Sequence, residues 1–525
     1  MEARGGDGPM LDARIRGRYL PLLVGAAAFA LAFPPFPPLI GALIALTAFA
    51  LALERGVSDH RGLGGALGMG ALFGVIGYGP NILWIMAGFG GGGARMYLAL
   101  GGALAVVTLS VVLTAGLFHL ARVGNDTPLP TMLLLPLCWV AGEVVLAHMG
   151  DVAFPWLPVG LSVSSVPLLL QTADISGVHG VSAWIAALAG AIVDLSRRRT
   201  RPHRSRAIVA AAVALIALVL GYGSWRLGSV ELEPALRVAV VQPDIRPEQK
   251  HDPALLDANV GRLTALTREA ASLEPALVLW PETALAGMLD DHPDWRDSLQ
   301  AAAVSVGAPI LTGVVQRVPP GADGRIGLHN AAILTDSAGQ LGAHPDYRKR
   351  MLVPITERIP FVDPAWFSSE YPPPLRGFTP GTMEEPLSVD GHGVGALICF
   401  ESAFPALARQ YRERGATLIA NLTNDAVLGD GRGPAQHAAH VAVRAVEGRI
   451  AVIQAANSGV SVYADPRGVT HDPTPRDTAM VRVYEVTTTE ATSMYVKLGD
   501  WLGWGSVIGA ALLAATGMRA RRTDR

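Results

Sequence analysis

The sequence predicts a polytopic helical membrane bundle joined to one α/β domain, and three observations support this. The chain has 525 residues, which is too long for one ordinary domain. Its mean hydropathy is +0.35 and only 16% of its residues are charged, a balance that does not suit two soluble domains. Apolar residues concentrate before residue 230 and near the C-terminus. We therefore expect a bundle in residues 1–230, a folded domain in 231–492, and a closing helix with a basic tail in 493–525.

The membrane part is predicted to contain about eight spans. A helix needs about 20 mostly apolar residues to cross the hydrocarbon core of a bilayer. The candidate segments are approximately 19–33, 39–53, 63–85, 96–121, 128–149, 178–195, 207–225 and 501–518. The first two are short, and the prolines between Pro34 and Pro38 leave open a single re-entrant hairpin in their place.

Basic residues predict the orientation, because cytoplasmic loops are enriched in Lys and Arg. Arginines precede the first span, lie between the second and third, follow the fourth, separate the sixth from the seventh, and end the chain. All of them fall on one side if both termini are cytoplasmic, which puts the folded domain on the outer side. The net charge of −2 argues against nucleic acid as a partner, since that use requires a basic face.

Residues 236 to 490 have the pattern of an α/β layered domain. Short apolar runs bounded by turn residues predict strands at 237–241, 276–280, 309–315, 330–335, 394–398, 418–422, 451–455 and 460–464. Helices are expected at 253–272, 294–306, 403–415 and 436–448. Only two cysteines occur, Cys138 in an apolar segment and Cys399 in the folded domain, which excludes a disulfide framework.

Three polar side chains stand at or near the ends of apolar segments of this domain. Glu282 follows the apolar run that ends at Trp280, although this motif taken alone is a weak signal and a solvated loop glutamate would be the default. Lys349 has basic neighbours, typical of a solvated face, but Glu357 lies eight residues on and offers a partner. Cys399 ends one predicted strand and begins a helix, an elbow that exposes a nucleophile beside backbone N–H groups. A lone cysteine there is more often core, so its catalytic role depends on the other two.

Taken together, these residues, in the order Glu, Lys, Cys, resemble the triad of the nitrilase superfamily. The chain resembles the apolipoprotein N-acyltransferase family most of all, and the resemblance covers nearly its whole length. The motifs that carry it are Trp280-Pro281-Glu282, Tyr347-x-Lys349-x-x-Leu352-Val353-Pro354, Ile398-Cys399-Phe400-Glu401 and Asn421-x-x-Asn424-Asp425-Ala426.

The resemblance implies a four-layer αββα sandwich and a ping-pong acyl transfer in the bacterial cytoplasmic membrane. Its donor would be a phospholipid, and its acceptor the α-amine of a diacylglyceryl-cysteine at an apolipoprotein N-terminus. Glu282 would act as general base, Lys349 would stabilise the oxyanion, and Cys399 would carry the acyl chain as a thioester. No cofactor and no metal are implied, and a monomer is expected.

Further positions come from the same resemblance. Glu357 and Glu401 would hold Lys349 or the acceptor amine in register, and Asn330 joins this supporting group. Phe400 would contribute its backbone N–H, and it stands where Tyr is common in the family, so a phenolic hydrogen bond is lost. We expect substrate contacts from three more positions: Asn424, and the sites His251 and Val427, where many members carry Trp.

Two groups in the membrane part have alternative interpretations. Glu143 lies in the middle of a span, where an acidic residue is costly and faces either a functional cavity or a partner on a neighbouring helix. Trp156, in Phe154-Pro155-Trp156, is either an interface anchor or part of a lipid site.

Two features of the folded domain also stay open. The loop 359–378 carries Phe361 and Trp366 and is either a lid over the substrate or a covered Ω-like loop. His437 and His440 have helical i, i+3 spacing, but the sequence offers no third metal ligand and packing is the preferred interpretation.

Two other functions compete with acyl transfer. A membrane-tethered amidase or nitrilase-type hydrolase would use the same triad with water in place of the amine. A non-catalytic membrane scaffold would carry a degenerate nitrilase domain, which the joint presence of Glu282, Lys349 and Cys399 argues against.

Overall fold

The computed structural model describes residues 8–89, 93–123, 129–196, 202–250, 252–317, 327–342, 345–362 and 377–523. Apolar helices lie at all the positions where spans were predicted before residue 230. The helices of this part are α1 (Gly8–Ala30), α2 (Ile40–Ser58), α3 (Leu63–Ile82), α4 (Ala94–Val123), α5 (Thr131–Ala147), the single turn α6 (Pro167–Leu170), α7 (Ala173–Ser196) and α8 (Pro202–Ser229).

Length and composition distinguish two groups among these helices. In the described part of the chain, six helices, including the one that follows the folded domain, are long and apolar enough to cross a membrane. The other two apolar helices are shorter: residues 19–30 of α1, whose earlier half carries arginines, and α5 with 17 residues. The predicted count of eight is thus met by eight apolar helices, of which six have full spanning length.

The domain after the bundle contains two six-stranded sheets. The first has the order β12-β1-β2-β3-β4-β5, and the second β11-β10-β9-β8-β7-β6. Their strands are β1 (Glu233–Gln242), β2 (Leu277–Leu279), β3 (Ile310–Arg317), β4 (Leu328–Leu334), β5 (Tyr347–Arg348), β6 (Leu387–Val389), β7 (His392–Ile398), β8 (Ala416–Thr423), β9 (Ala451–Ala456), β10 (Val462–Ala464), β11 (Thr470–His471) and β12 (Met480–Thr488). In each sheet the middle strands are parallel, β1 to β3 in one and β7 to β9 in the other.

Helices cover the outer faces of both sheets. In chain order the helices of the domain are α9 (Pro247–Lys250), α10 (Leu256–Ala270), α11 (Pro293–Val306), α12 (Pro405–Glu413), α13 (Gly433–Gly448) and α14 (Met494–Leu498), followed by the closing helix α15 (Trp501–Thr523). Helices α10 and α11 pack on the first sheet, and α12 and α13 on the second. The period-2 alternation of β1 explains the layering. Val238 and Val240 pack into the core that includes the second sheet, whereas Ala239 and Val241 pack with the residues of α10 and α11. This arrangement confirms the nitrilase-like sandwich.

Polar contacts fasten the domain to the bundle. The side-chain oxygen of Gln436 on α13 accepts hydrogen bonds from the indole N–H of Trp84 (3.1 Å) and of Trp156 (3.0 Å). At a second point, the buried guanidinium of Arg449 pairs with Asp174 at the start of α7, with 2.6 Å between Nη2 and Oδ2. The folded domain therefore lies against the bundle through specific buried groups.

Candidate active site

The parallel strands deliver the candidate residues to one region. Glu282 follows β2, Cys399 follows β7, and Asn424 follows β8, each just past the carboxyl end of its strand. Cys399 has a φ of 55°, the left-handed region that is rare for residues other than glycine, and a 3₁₀ turn (Cys399–Ala403) begins at it. Such strain at a strand-to-turn elbow is typical of an exposed nucleophile.

A buried hydrogen-bond network links Lys349 to two carboxylates. Its Nζ lies 3.2 Å from Oε1 of Glu282 and 2.9 Å from Oε1 of Glu357. The side-chain amide of Asn330 donates to the same two oxygen atoms, at 2.8 Å and 2.9 Å. The second oxygen of Glu282 accepts from the backbone N–H of Asn424 at 3.1 Å. Lys349, Glu282, Glu357 and Asn330 are therefore fixed as one unit.

Electrostatics set the protonation states of this unit. Burial alone would favour neutral forms, but the carboxylates of Glu282 and Glu357 outweigh it and raise the pKa of Lys349. Burial would likewise raise the pKa of Glu282, yet Lys349 and Asn330 hold that pKa below its usual value. Burial, and next the charge of Glu282, raise the pKa of the Cys399 thiol well above its ordinary value. The resting site thus combines an ionised carboxylate, an ammonium and a neutral thiol.

Glu401 lies behind the site and joins two of its segments. Its side chain is fully buried and accepts hydrogen bonds from the hydroxyl of Tyr347 (2.7 Å) and the backbone N–H of Ile398 (2.8 Å). It also accepts from the backbone N–H groups of Arg350 (2.7 Å) and Met351 (3.1 Å). Because these donors flank Lys349 and Cys399, Glu401 fixes the distance between the ammonium and the thiol without contacting Lys349 itself.

A cavity of about 400 Å³ extends from the candidate triad of Glu282, Lys349 and Cys399 to the bundle. On the domain side it is lined by Glu282, Lys349 and Cys399 together with the predicted positions Asn330, Glu357, Phe400, Asn424 and Val427. On the bundle side its wall includes Trp84, Phe154 and Trp156, and the α4 residues Ala99, Gly102, Ala103 and Val106. The ring of Phe400 packs against those of Phe154 (5.7 Å between centroids) and Trp156 (5.9 Å). The candidate triad and an apolar wall therefore line the same cavity.

Several predicted residues lie elsewhere. Glu143 is buried in α5, where its Oε1 accepts from the indole of Trp139 (2.8 Å) and the backbone N–H of Val159 (2.7 Å), and it does not line the cavity. Phe361 is 71% exposed and is also absent from the described cavity wall. His251 and Trp366 lie outside the described residues, as does most of the loop 359–378.

Two buried histidines occupy α13 and have different partners. His437 lies between the carboxylate of Asp425 (2.7 Å from Nδ1) and the backbone carbonyl of Cys399 (2.9 Å from Nε2). His440 reaches the backbone carbonyl of Trp156 at 3.1 Å from Nε2. Within the described part of the chain, no group of three His, Cys, Asp or Glu side chains is placed to hold a metal ion.

Sequence reasoning missed one lysine of the site. Lys250, at the end of α9, is 4% exposed, and its Nζ donates to the backbone carbonyl of Glu282 at 3.0 Å. Burial lowers the pKa of Lys250 to about 8, against the opposing effect of the Glu282 carboxylate. The sequence carried no signal for it, because its partner is a backbone oxygen.

Comparison with known proteins places these features in a family. Residues 237–494 match the carbon-nitrogen hydrolase family, and residues 25–191 match the apolipoprotein N-acyltransferase N-terminal domain. The apolipoprotein N-acyltransferase of Geobacter metallireducens is 30% identical over 520 residues, which cover 98% of each chain. The chain belongs to the apolipoprotein N-acyltransferase family. That of Chlorobaculum tepidum is 31% identical over 376 residues, covering 66% of this chain and 69% of its own.

Membership confirms the resemblance inferred from the motifs. Like its relatives, the protein is an acyltransferase with a nitrilase-like domain and membrane-spanning helices. Among solved structures, an amidase of the nitrilase superfamily from Nesterenkonia sp. AN1 is 22% identical with a TM-score of 0.38. The similarity covers 51% of this chain and 96% of the amidase.

Proposed function

We propose that this protein moves an acyl chain from a phospholipid, through a thioester on Cys399, to the α-amine of a diacylglyceryl-cysteine. One observation carries the proposal: the cavity that holds the triad is closed on its other side by the bundle residues Trp84, Ala99 and Gly102. An apolar wall on membrane helices suits an acyl chain, whereas a small water-soluble amide needs no such wall.

In the first half-reaction, Glu282 takes the proton of the Cys399 thiol, and the thiolate attacks the carbonyl carbon of the phospholipid ester. A C–S bond forms while the carbonyl π electrons move to oxygen. Lys349 and the backbone N–H of Phe400 stabilise that oxyanion, and one such donor typically contributes about 3 kcal/mol. The C–O bond then breaks, and protonated Glu282 returns its proton to the leaving lysophospholipid oxygen.

In the second half-reaction, the acceptor amine attacks the thioester carbon, and Glu282 removes a proton from its nitrogen. The same donors stabilise the second oxyanion. The C–S bond breaks as the amide forms, and the proton on Glu282 returns to the Cys399 sulfur. Glu357 and Asn330 keep Lys349 and Glu282 in register through both halves, as their shared hydrogen bonds support.

The substrates also fit the expected location. We place the enzyme in the bacterial cytoplasmic membrane as a multi-pass monomer, with cytoplasmic termini and the catalytic domain on the outer side. The distribution of arginines supports this orientation. An outward-facing domain shares its compartment with exported lipoproteins, and the membrane beside it supplies the phospholipid.

A two-step mass measurement tests the mechanism. The purified enzyme is incubated with phospholipid, its intact mass is recorded, and a diacylated lipopeptide is then added. We expect an acyl adduct on Cys399 that moves to the peptide amine. Cys399→Ala should form no adduct, and Cys138→Ala, which changes the other cysteine in buried α5, should behave as the wild type.

The competing functions give different results in the same assay. Release of free fatty acid without transfer to the amine would indicate a hydrolase. Absence of any adduct on the wild-type enzyme would indicate a scaffold. Either result contradicts the proposed mechanism.

A further inference from the structure

His437 and Asp425 form a buried pair directly behind the nucleophile. Both side chains are fully buried, and 2.7 Å separates Nδ1 of His437 from Oδ1 of Asp425. The other ring nitrogen lies 2.9 Å from the carbonyl oxygen of Cys399 and 3.0 Å from the hydroxyl of Ser402. Neither residue lines the cavity, whereas Cys399 and Phe400 both do.

The contacts favour a charged imidazole. The nearest neighbour of each ring nitrogen of His437 is an oxygen that accepts hydrogen bonds, the Asp425 carboxylate at Nδ1 and the Cys399 carbonyl at Nε2, and a hydrogen on each nitrogen satisfies both. The Ser402 hydroxyl and the Asn421 amide lie farther from Nε2, at 3.0 Å and 3.5 Å. An imidazole with two N–H groups is the cation. The hydroxyl of Thr423 also donates to Oδ1 of Asp425, at 2.7 Å, as expected for an ionised carboxylate. These contacts support a pair made of an imidazolium and a carboxylate.

The carbonyl that His437 contacts belongs to a particular peptide group. Its other end is the N–H of Phe400, the donor assigned above to the oxyanion. In a trans peptide the C=O and N–H point in opposite directions, so a cation at the oxygen stands behind the N–H. Hydrogen bonds in series polarise one another, and a charged donor at the carbonyl makes the N–H at the other end a stronger donor.

We infer that His437, charged and held by Asp425, is a positioning residue that polarises the Cys399–Phe400 peptide and thereby strengthens the oxyanion site. The same contact holds the strained backbone of Cys399, since it fixes the carbonyl that follows the φ of 55°. This inference rests on the proposed acyl transfer and adds a role for two residues outside the triad.

The test compares His437→Gln with the wild type in single-turnover acylation by phospholipid, followed by intact mass. Glutamine keeps a neutral donor near the Cys399 carbonyl but removes the positive charge. We expect acylation about tenfold slower at neutral pH, below the roughly 100-fold or greater loss on removing a whole oxyanion donor. The double variant His437→Gln/Asp425→Asn, which leaves no unpaired carboxylate, should show the same loss.

A pH series distinguishes polarisation of the Cys399–Phe400 peptide from a purely structural role of His437. The titratable residues near His437 among the described residues are Asp425, Cys399, Glu282, and His440 one turn along α13. The other polar neighbours of its Nε2 are Ser402 and Asn421. Burial alone would lower the pKa of His437, but the charge of Asp425 outweighs it and raises that pKa. The ratio of wild-type to variant rates should therefore be large near neutral pH and should approach one as the imidazolium loses its proton at higher pH.

His440→Gln is the matched control, because it removes a buried histidine from the same helix without touching the Cys399 peptide. We expect its acylation rate to lie within about twofold of the wild-type rate, and its change in melting temperature to be comparable to that of His437→Gln. Equal rates for His437→Gln and wild type, or a rate ratio that does not change with pH, would overturn the inference. If the wild type itself forms no adduct, the proposed function fails instead.

Discussion

Glu401 offers a sharp test of how the site is held together, through the substitution Glu401→Gln. The carboxylate accepts four hydrogen bonds and donates none. In the variant, one oxygen becomes an NH₂ group. If the remaining oxygen still accepts hydrogen bonds from the backbone N–H groups of Arg350 and Met351, the new NH₂ group faces the backbone N–H of Ile398. The Tyr347 hydroxyl can rotate and accept a hydrogen bond from the NH₂ group. One buried N–H then loses its acceptor, which costs about 1–3 kcal/mol.

The loss should appear in both stability and rate. For a domain of this size, about 2 kcal/mol corresponds to a decrease of roughly 4–8 °C in melting temperature. Because the affected donors flank Lys349 and Cys399, we expect acylation to slow by about 10- to 100-fold, as for other small displacements of reacting groups. Melting is followed by intrinsic fluorescence of the detergent-solubilised enzyme, and acylation by intact mass.

Glu413→Gln is the control for this experiment. It makes the same chemical change in an exposed i, i+4 pair with Arg409, a type of interaction that contributes about 0.3–0.5 kcal/mol. Its melting temperature and acylation rate should stay near those of the wild type. If Glu401→Gln behaves in the same way, the reasoning about the four hydrogen bonds is wrong.

Three further predictions follow from other contacts. A Cβ at Gly102 would meet only Ile355, at 3.9 Å, so the side chain of a Gly102→Leu variant should project into the cavity. In competition assays the variant should favour short-chain over long-chain phospholipids. An unchanged preference would argue against an acyl chain at this wall. Because the pKa of Lys250 is lowered on folding, the folded enzyme binds fewer protons than the unfolded chain between about pH 8 and 10.5. The contribution of Lys250 to the free energy of unfolding therefore rises with pH in that window. The melting temperature of Lys250→Met relative to wild type should therefore be highest near pH 7 and fall toward pH 10, and a difference independent of pH would count against a buried charged lysine. Gln436→Leu leaves the indole N–H groups of Trp84 and Trp156 without their acceptor and should destabilise the enzyme by about 2 kcal/mol or more, seen as a lower melting temperature; no change would show that this junction is not important.

The sequence allowed the centre of the site to be predicted because its residues follow buried strands. Glu282 and Asn424 come after apolar runs that predict strands, and parallel strands present their carboxyl ends at one edge. Lys349 follows the two-residue strand β5, which has no pattern of its own. Its prediction depended on Glu357 nearby and on the family resemblance, and the structure shows that these two side chains are in contact.

The elements that were missed have weak local signals. Strand β12 forms the edge of the first sheet beside β1, and most of its residues are only half-buried. Charged residues such as Arg482 and Glu485 are common on edge strands, and they interrupt the apolar pattern that would predict a strand. The pairing of His437 with Asp425 joins α13 to the turn after β8, so its spacing along the chain indicated only a helix face shared with His440.

The cavity wall contains residues of both the bundle and the folded domain, and for this reason a molecule bound in the cavity changes the stability of the enzyme. A molecule that contacts both Trp84 and Phe400 stabilises the contact between the bundle and the folded domain, because it binds only while the two are in contact. At a concentration one hundred times its Kd, such a molecule adds about 2.7 kcal/mol to the stability of the assembled form. A lipid that copurifies with the protein would therefore raise its melting temperature. Compounds that bind between the bundle and the folded domain can be found by screening for an increase in melting temperature.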